Sequence, residues 1–127
     1  QRVVIAKAVA QDPDLFLFDE PTSDLDLRNQ IEVMKRIVEL VSDPNSSKSA
    51  IVSIHDINIA ARFADHILLL HEGGIKAEGS PKEVLTEQNI AEVFDVSCEI
   101  IQPTRWTPLR VLVKDEIDSK KNKEEMK

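Results

Sequence analysis

The stretch from Leu15 to Asp26, LFLFDEPTSDLD, constrains the fold more than any other part of the chain. Four bulky apolar residues run directly into two adjacent carboxylates, and a proline follows. A continuous apolar run of this length is typical of a strand that is covered on both faces, as in a parallel sheet. We therefore expect Leu15–Phe18 to be a buried strand that ends at a pair of acids.

Helical and strand-like patterns alternate on both sides of this strand. An Ala/Val-rich helix is predicted from Arg2 to Gln11, and AIVSI (50–54) and HILLL (66–70) are predicted to be further buried strands. Between them lie a helix with the stripe Leu27, Ile31, Met34, Val38 and Val41, and a helix INIAARFA that Asp56 can cap. This alternation predicts an α/β layered core with mainly parallel strands.

The pattern changes after the third strand. The pair Gly73-Gly74 predicts a hairpin, Ser80-Pro81-Lys82-Glu83 has the form of a capping box, and EQNIAEVF (87–94) is predicted to be a short helix. Two strand-like runs, CEIIQ and LRVLV, follow. We expect residues 1–97 to form one unit, residues 98–114 to be short accessory or covering strands, and residues 115–127 to be a disordered charged tail.

Composition excludes several classes of function. With 16 basic and 23 acidic residues the chain carries a net charge of −7, which disfavours binding to nucleic acid through phosphate neutralisation. No apolar run approaches the ~20 residues that a membrane-spanning helix needs, so we expect no direct insertion into a membrane. The single cysteine, Cys98, fits a reducing compartment and is expected to be a small buried hydrophobe.

Polar residues follow two of the predicted strands directly. Asp19 and Glu20 end the first strand, and His55 and Asp56 end the second. Because functional groups gather beyond the carboxyl ends of parallel strands, we expect these side chains to share one crevice.

Several kinds of site use paired acids. A calcium loop does not fit, because Lys35 stands where a bidentate glutamate is needed. A glycosidase pair stays compatible with the spacing, and helix capping accounts for one of Asp24 and Asp26. Hydrolysis of a metal-bound nucleotide explains Asp19 and Glu20 best: the first could hold Mg²⁺ and the second could polarise the attacking water. His55 could then hydrogen-bond the terminal phosphate.

The same residues carry a resemblance to a known family. LFLFDEPTSDLD resembles the Walker B strand, catalytic glutamate and D-loop of ATP-binding cassette (ABC) ATPases. Two further stretches resemble parts of these ATPases. Their switch-histidine strand and the segment after it are similar to SIHDINIAARFADHILLLHEGGIKAEGSPKEVL. The helix after their signature sequence is similar to QRVVIAKAVAQDP. The match extends from Gln1 to about Val96 and is most similar to the iron-siderophore, haem and cobalamin importers.

The resemblance implies a role for each matching residue. Asp19 matches the magnesium-associated aspartate, Glu20 the general base and His55 the switch histidine. Four residues match the D-loop, which in this family crosses the dimer interface: Ser23, Asp24, Leu25 and Asp26. Asp24 departs from the family, which often has alanine or asparagine there; its charge could weaken nucleotide binding or face water, and we favour the second. The implied fold is a partial P-loop NTPase (RecA-like) core, with ATP and Mg²⁺ as ligands.

The family's other nucleotide-binding motifs are not found in this sequence. Its three glycines, Gly73, Gly74 and Gly79, form no G-x-x-x-x-G-K-[ST] loop, and the Q-loop and LSGGQ signature are also missing. We therefore expect the C-terminal half of a nucleotide-binding domain, inactive by itself. The complete protein is expected to be a homodimeric ATPase on the inner face of the cell membrane, bound to an integral-membrane permease. The alternatives are a stand-alone, non-catalytic module that pairs with a complete ABC subunit, and a non-transport ABC ATPase.

Overall fold

The computed structural model describes residues 5, 7 and 10–118, and the chain divides into two compact units, residues 1–56 and 57–127. Of the helix predicted from Arg2 to Gln11, the described residues Ile5, Lys7 and Ala10 are helical. Its other residues up to position 9 lie outside the described part, as do residues 119–127 of the predicted tail. The predicted boundary between residues 97 and 98 stays a prediction.

Unit 1 contains a parallel pair of strands and one long helix: β1 (Leu15–Asp19), α1 (Leu27–Val41) and β2 (Ser49–Ser53). The strands pair from Leu15 opposite Ser49 to Asp19 opposite Ser53, which confirms the predicted parallel arrangement. Lys48 fixes their starting ends, because its Nζ binds Oδ1 of Asp12 at 2.6 Å and the carbonyl oxygen of Pro13 at 2.8 Å.

The prediction that both strands are covered on both faces is wrong for the described structure. Phe16 and Phe18 are buried, with stacked rings 5.9 Å apart between centroids, whereas Leu17 is 72% exposed and Ile51 on the neighbouring strand is 58% exposed. Side chains alternate between the two faces of a strand, so a single covering layer buries every second residue. The sheet of unit 1 therefore has one buried face and one open apolar face.

Helix α1 begins where the sequence predicts, because Asp26 is its N-cap. Oδ1 of Asp26 accepts a hydrogen bond from the backbone N–H of Asn29 at 2.9 Å. The predicted apolar stripe is only partly right. The fully buried residues of α1 are Val33, Met34 and Ile37, whereas Leu27 is exposed because it lies in the first turn beside the loop.

Unit 2 contains the remaining elements. In chain order they are α2 (Ile57–Phe63), β3 (Ile67–His71), β4 (Gly74–Gly79), α3 (Pro81–Val84), α4 (Glu87–Phe94), β5 (Val96–Ile101) and β6 (Arg110–Glu116). The predicted capping box is present at the start of α3, and α4 has its predicted bounds. β6 extends two residues into the predicted charged tail.

Both strand pairs of unit 2 are antiparallel hairpins. The turn between β3 and β4 has positive φ at Glu72 (50°) and Gly73 (79°), as a two-residue type I′ turn requires. This short connection makes β3 pair with β4, although the alternation of elements suggested that β3 would extend the parallel sheet. Within the described residues, one strand pair is parallel and two are antiparallel.

One hydrophobic cluster holds unit 2 together. It joins the helices to both hairpins through buried side chains: Ala61, Ile67, Leu69, Val84, Leu85, Ile90, Cys98, Leu109 and Val111. Cys98 is buried among them, as predicted. No helix in the described part is long and apolar enough to cross a membrane.

Candidate functional site

The two parallel strands of unit 1 end side by side and bring Asp19 and Ser53 together. The hydroxyl of Ser53 donates a hydrogen bond to Oδ1 of Asp19 at 2.7 Å. The same Oγ accepts a hydrogen bond from the backbone N–H of Glu20 at 2.8 Å, and this N–H also lies 3.2 Å from the carbonyl oxygen of Ser53. A single residue of β2 therefore contacts both acids that follow β1.

Glu20 in turn contacts His55, two residues beyond the end of β2. The distance between Oε1 of Glu20 and Nε2 of His55 is 2.6 Å. The side chain of His55 is 83% exposed and that of Glu20 is 42% exposed, so a water molecule or a phosphate group can reach the pair from solvent. Of the four residues predicted to share a crevice, Asp19, Glu20, His55 and Asp56, the first three thus lie in one connected group.

The backbone at Glu20 directs its side chain into this group. Its φ is +48°, in the left-handed region that residues with a side chain seldom occupy. A turn follows at once, in which the N–H of Ser23 donates to the carbonyl oxygen of Glu20 at 3.1 Å. Pro21 and Thr22, the two central residues of this turn, are buried.

The residues matched to the D-loop lie on the loop between β1 and α1. Ser23 and Asp24 are exposed, and Asp24 has a φ of +61°. Asp26 is engaged as the N-cap of α1. Within the described part of the chain, no hydrogen bond or ion pair joins these three side chains to Asp19 or His55. Their predicted roles toward nucleotide or a dimer partner stay predictions.

The carboxylates suit Mg²⁺ only as part of a shared coordination shell. No group of three or more His, Cys, Asp or Glu side chains in the described residues could hold a metal ion by itself. Mg²⁺ in nucleotide sites is bound by one or two carboxylates together with phosphate oxygens and water. Asp19 fits that donor set, because Ser53 engages only one of the two oxygens of its exposed carboxylate.

Ser53 is the site residue that the sequence reasoning missed. The parallel register pairs Asp19, the last residue of β1, with Ser53, the last residue of β2, and no local pattern in the sequence gives that register. The other two histidines lie in unit 2, where Nε2 of His66 is 3.5 Å from Oε2 of Glu78 and Nε2 of His71 is 3.6 Å from Oε1 of Glu72.

Known proteins with related sequences are described as ATP-binding proteins of transporters. The chain is 44% identical over 111 residues to an uncharacterised ABC transporter ATP-binding protein of Methanocaldococcus jannaschii, an alignment that covers 87% of this chain and 42% of the relative. It is 43% identical over 110 residues to the achromobactin transport ATP-binding protein CbrD of Dickeya dadantii, covering 86% and 40% of the two chains. The chain belongs to the family of ABC transporter ATP-binding proteins.

A solved structure agrees with this assignment to the ABC family. A metal-chelate type ABC transporter in an inward-facing conformation matches 88% of this chain and 45% of its own, with a TM-score of 0.73 and 28% sequence identity. No protein-family model matches the chain. The chain spans about two fifths of the length of these two relatives. The aligned region makes up 42% of the first and 40% of the second.

Proposed function

We propose that the chain is the C-terminal part of the ATP-hydrolysing subunit of an ABC transporter that imports an iron chelate, haem or cobalamin. The observation that carries this proposal is the connected group of Asp19, Glu20 and His55 at the ends of two parallel strands. The family assignment supports ATP as the nucleotide. The relative named for achromobactin transport and the neighbour named for metal chelates support an iron chelate as the cargo.

Each residue of the group has a distinct part in ATP hydrolysis. Mg²⁺, bound together with ATP, would supply positive charge against the negative charge that develops on the phosphate. Asp19 would hold this ion, with water and phosphate completing its shell. Glu20 would accept a proton from the attacking water, and its Oε1 contacts Nε2 of His55 in this structure.

His55 has a second part in this reaction. The imidazole Nε2 that now contacts Glu20 can instead donate a hydrogen bond to the terminal phosphate as negative charge builds up there. Both partners are accessible to solvent, so the exchange of one contact for the other requires no unfolding of the strand ends. The loop residues Ser23 and Asp24 are exposed, and we propose that they face a second ATPase subunit.

Nucleotide binding depends on groups that this sequence does not contain. A glycine-rich loop and its lysine normally cradle the phosphates, and the relatives are more than twice as long as the aligned segment. The open apolar face at Leu17 and Ile51 is of the kind that a further layer of structure covers in a complete domain. We therefore propose that the chain alone does not hydrolyse ATP and that the complete subunit is a cytoplasmic homodimer bound to a membrane permease.

The decisive experiment replaces Glu20→Gln in the complete ATPase. Glutamine keeps the shape of the side chain but cannot accept the proton, so we expect ATP turnover to fall by at least ~100-fold while ATP binding is retained. Glu39→Gln, an exposed change on α1, is the matched control and should leave turnover unchanged. Undiminished turnover in Glu20→Gln would remove Glu20 from the role of general base.

The native mass of the polypeptide separates this proposal from its alternative. A longer species that contains this segment supports the ATPase subunit. A native species of 14.3 kDa would instead favour a non-catalytic module that pairs with a complete ABC subunit. Intact-mass spectrometry of the protein from its source cell makes this measurement.

A further inference from the structure

The hydroxyl of Ser53 links the two acids of the site to each other. It donates to Oδ1 of Asp19 at 2.7 Å and accepts from the backbone N–H of Glu20 at 2.8 Å. A hydroxyl can donate and accept at the same time, so one atom fixes both the carboxylate of the first acid and the backbone of the second. Among the described residues, no other side chain hydrogen-bonds both Asp19 and the backbone of Glu20.

The contact to Glu20 acts on a strained part of the backbone. Glu20 has a φ of +48°, and a residue with a side chain persists in that region only where its surroundings hold it. The two acceptors of the Glu20 N–H, Oγ and the carbonyl oxygen of Ser53, both belong to the same residue. Ser53 therefore supports the conformation from which the Glu20 side chain reaches His55.

We propose that Ser53 is a positioning residue of the ATPase site, which sets the Asp19 carboxylate and the Glu20 backbone in a fixed relation. This inference rests on the proposed function. Asp19 would then present its second oxygen toward the Mg²⁺ shell, because Ser53 occupies the first. Glu20 would present its carboxylate toward the attacking water, because the two hydrogen bonds from its N–H to Ser53 support the left-handed conformation of its backbone.

A purely structural hydrogen bond would have a different signature. Ser53 and Asp19 are both exposed, so water can replace the hydroxyl as a partner and its removal should change folding stability little. A positioning role, by contrast, predicts a loss of turnover that exceeds the loss of stability. It also predicts that Ser53→Thr, which keeps a hydroxyl at this position, retains ATP turnover.

The first experiment uses the chain as it is, without nucleotide or Mg²⁺. Hydrogen exchange at the Glu20 amide is compared between the unmodified chain and the variants Ser53→Ala, Ser53→Thr and Ser49→Ala. Ser53→Ala should accelerate exchange about tenfold, whereas Ser53→Thr and the control Ser49→Ala, at the other end of β2, should not. Unchanged exchange at Glu20 in Ser53→Ala would overturn the inference.

The second experiment measures steady-state ATP hydrolysis in the complete ATPase. Ser53→Ala should lower kcat about tenfold and raise the Mg²⁺ concentration for half-maximal rate several-fold, with KM for ATP within about twofold of its original value. Ser53→Thr should restore both quantities, and Ser49→Ala should not change them. Loss of turnover in Glu20→Gln together with normal turnover in Ser53→Ala would overturn this inference alone. Normal turnover in Glu20→Gln would remove Glu20 from the role of general base, and absence of ATP turnover in the unmodified complete protein would overturn the proposed function.

Discussion

The side-chain amide of Asn58 makes two hydrogen bonds with the backbone of Val111. Its Oδ1 accepts from the N–H of Val111 at 2.7 Å, and its Nδ2 donates to the carbonyl oxygen of Val111 at 3.1 Å. Val111 lies opposite Ile100 in the hairpin of β5 and β6. The amide of Asn58 therefore occupies, on the outer edge of β6, the place that the backbone of another strand would take.

Replacing Asn58→Ala should loosen this hairpin locally. The substitution removes two neutral, partly buried hydrogen bonds to the backbone of Val111, so the local free energy of opening should fall by about 1–2 kcal/mol. The measurement is hydrogen exchange at the Val111 amide, with Gln102→Ala in the exposed connection of the same hairpin as control. Equal exchange rates in both variants would show that the amide of Asn58 does not protect the edge of β6.

Replacing Asp26→Ala should destabilise α1 at its first turn. The Oδ1 of Asp26 satisfies the N–H of Asn29, and the loss of such a cap typically costs about 1 kcal/mol. Chemical denaturation followed by circular dichroism measures the change, and Glu39→Ala on the exposed face of the helix serves as control. A loss no greater than that of the control would argue against Asp26 as a cap that matters for stability.

The open face of the unit 1 sheet predicts self-association of the chain. Leu17→Thr or Ile51→Thr should leave folding intact and reduce association, because each removes apolar surface that already faces solvent. Phe16→Thr, on the buried face of the same strand, should instead lower stability by ~3–5 kcal/mol. Light scattering and denaturation separate the two effects, and an increase in association with Leu17→Thr would contradict this account.

The thiol of Cys98 should react slowly with alkylating reagents in the folded chain. Burial raises the pKa of this thiol, and the negative charge of Glu87 raises it further. Since the thiolate is the reactive form, less of it is present at pH 8 than in an exposed cysteine. A cysteine introduced by Ser47→Cys in the exposed loop, in a Cys98→Ala background, gives the reference rate. Equal rates for the two thiols would contradict the predicted protection.

The ion pair between Lys76 and Glu92 predicts a pH dependence. The hydrogen bond from Lys76 lowers the pKa of Glu92, and a hydrogen bond from Gln88 adds to the effect. Because the folded-state pKa is lower than the unfolded one, this stabilisation is complete above the unfolded pKa and is lost as the pH falls through the folded value. Carboxyl NMR titration should show the pKa of Glu92 rising in Lys76→Met, and no rise would exclude Lys76 as its main cause.

The elements that were predicted accurately are those whose determinants are local. The capping box at Ser80 to Glu83, the helix Glu87–Phe94 and the hairpin near Gly73 depend on residues within a few positions of one another. Side-chain caps and turn residues act on their immediate neighbours, so the sequence alone is enough to predict such elements.

The wrong or missing predictions depend on long-range packing. Full burial of β1 requires a layer on each side of the sheet, which no local pattern reveals, and Leu17 is accordingly exposed where burial was expected. The sequence predicted that Asp19, Glu20 and His55 lie close together, because each follows the end of a strand. The contact of Ser53 with Asp19 depends instead on the register between two strands that are far apart in sequence. Register is set by the assembled sheet, and so Ser53 was found only in the structure.

At Glu20, where the backbone is left-handed, the residue that favours thermal stability differs from the residue that the proposed chemistry needs. Glycine and asparagine adopt such dihedral angles more readily than glutamate does, so a library screened for thermal resistance alone should be enriched in them at position 20. That enrichment would discard the carboxylate on which the proposed chemistry depends. A gain in melting temperature at this loop would therefore be expected to accompany a loss of turnover, and efforts to stabilise the chain should change residues elsewhere.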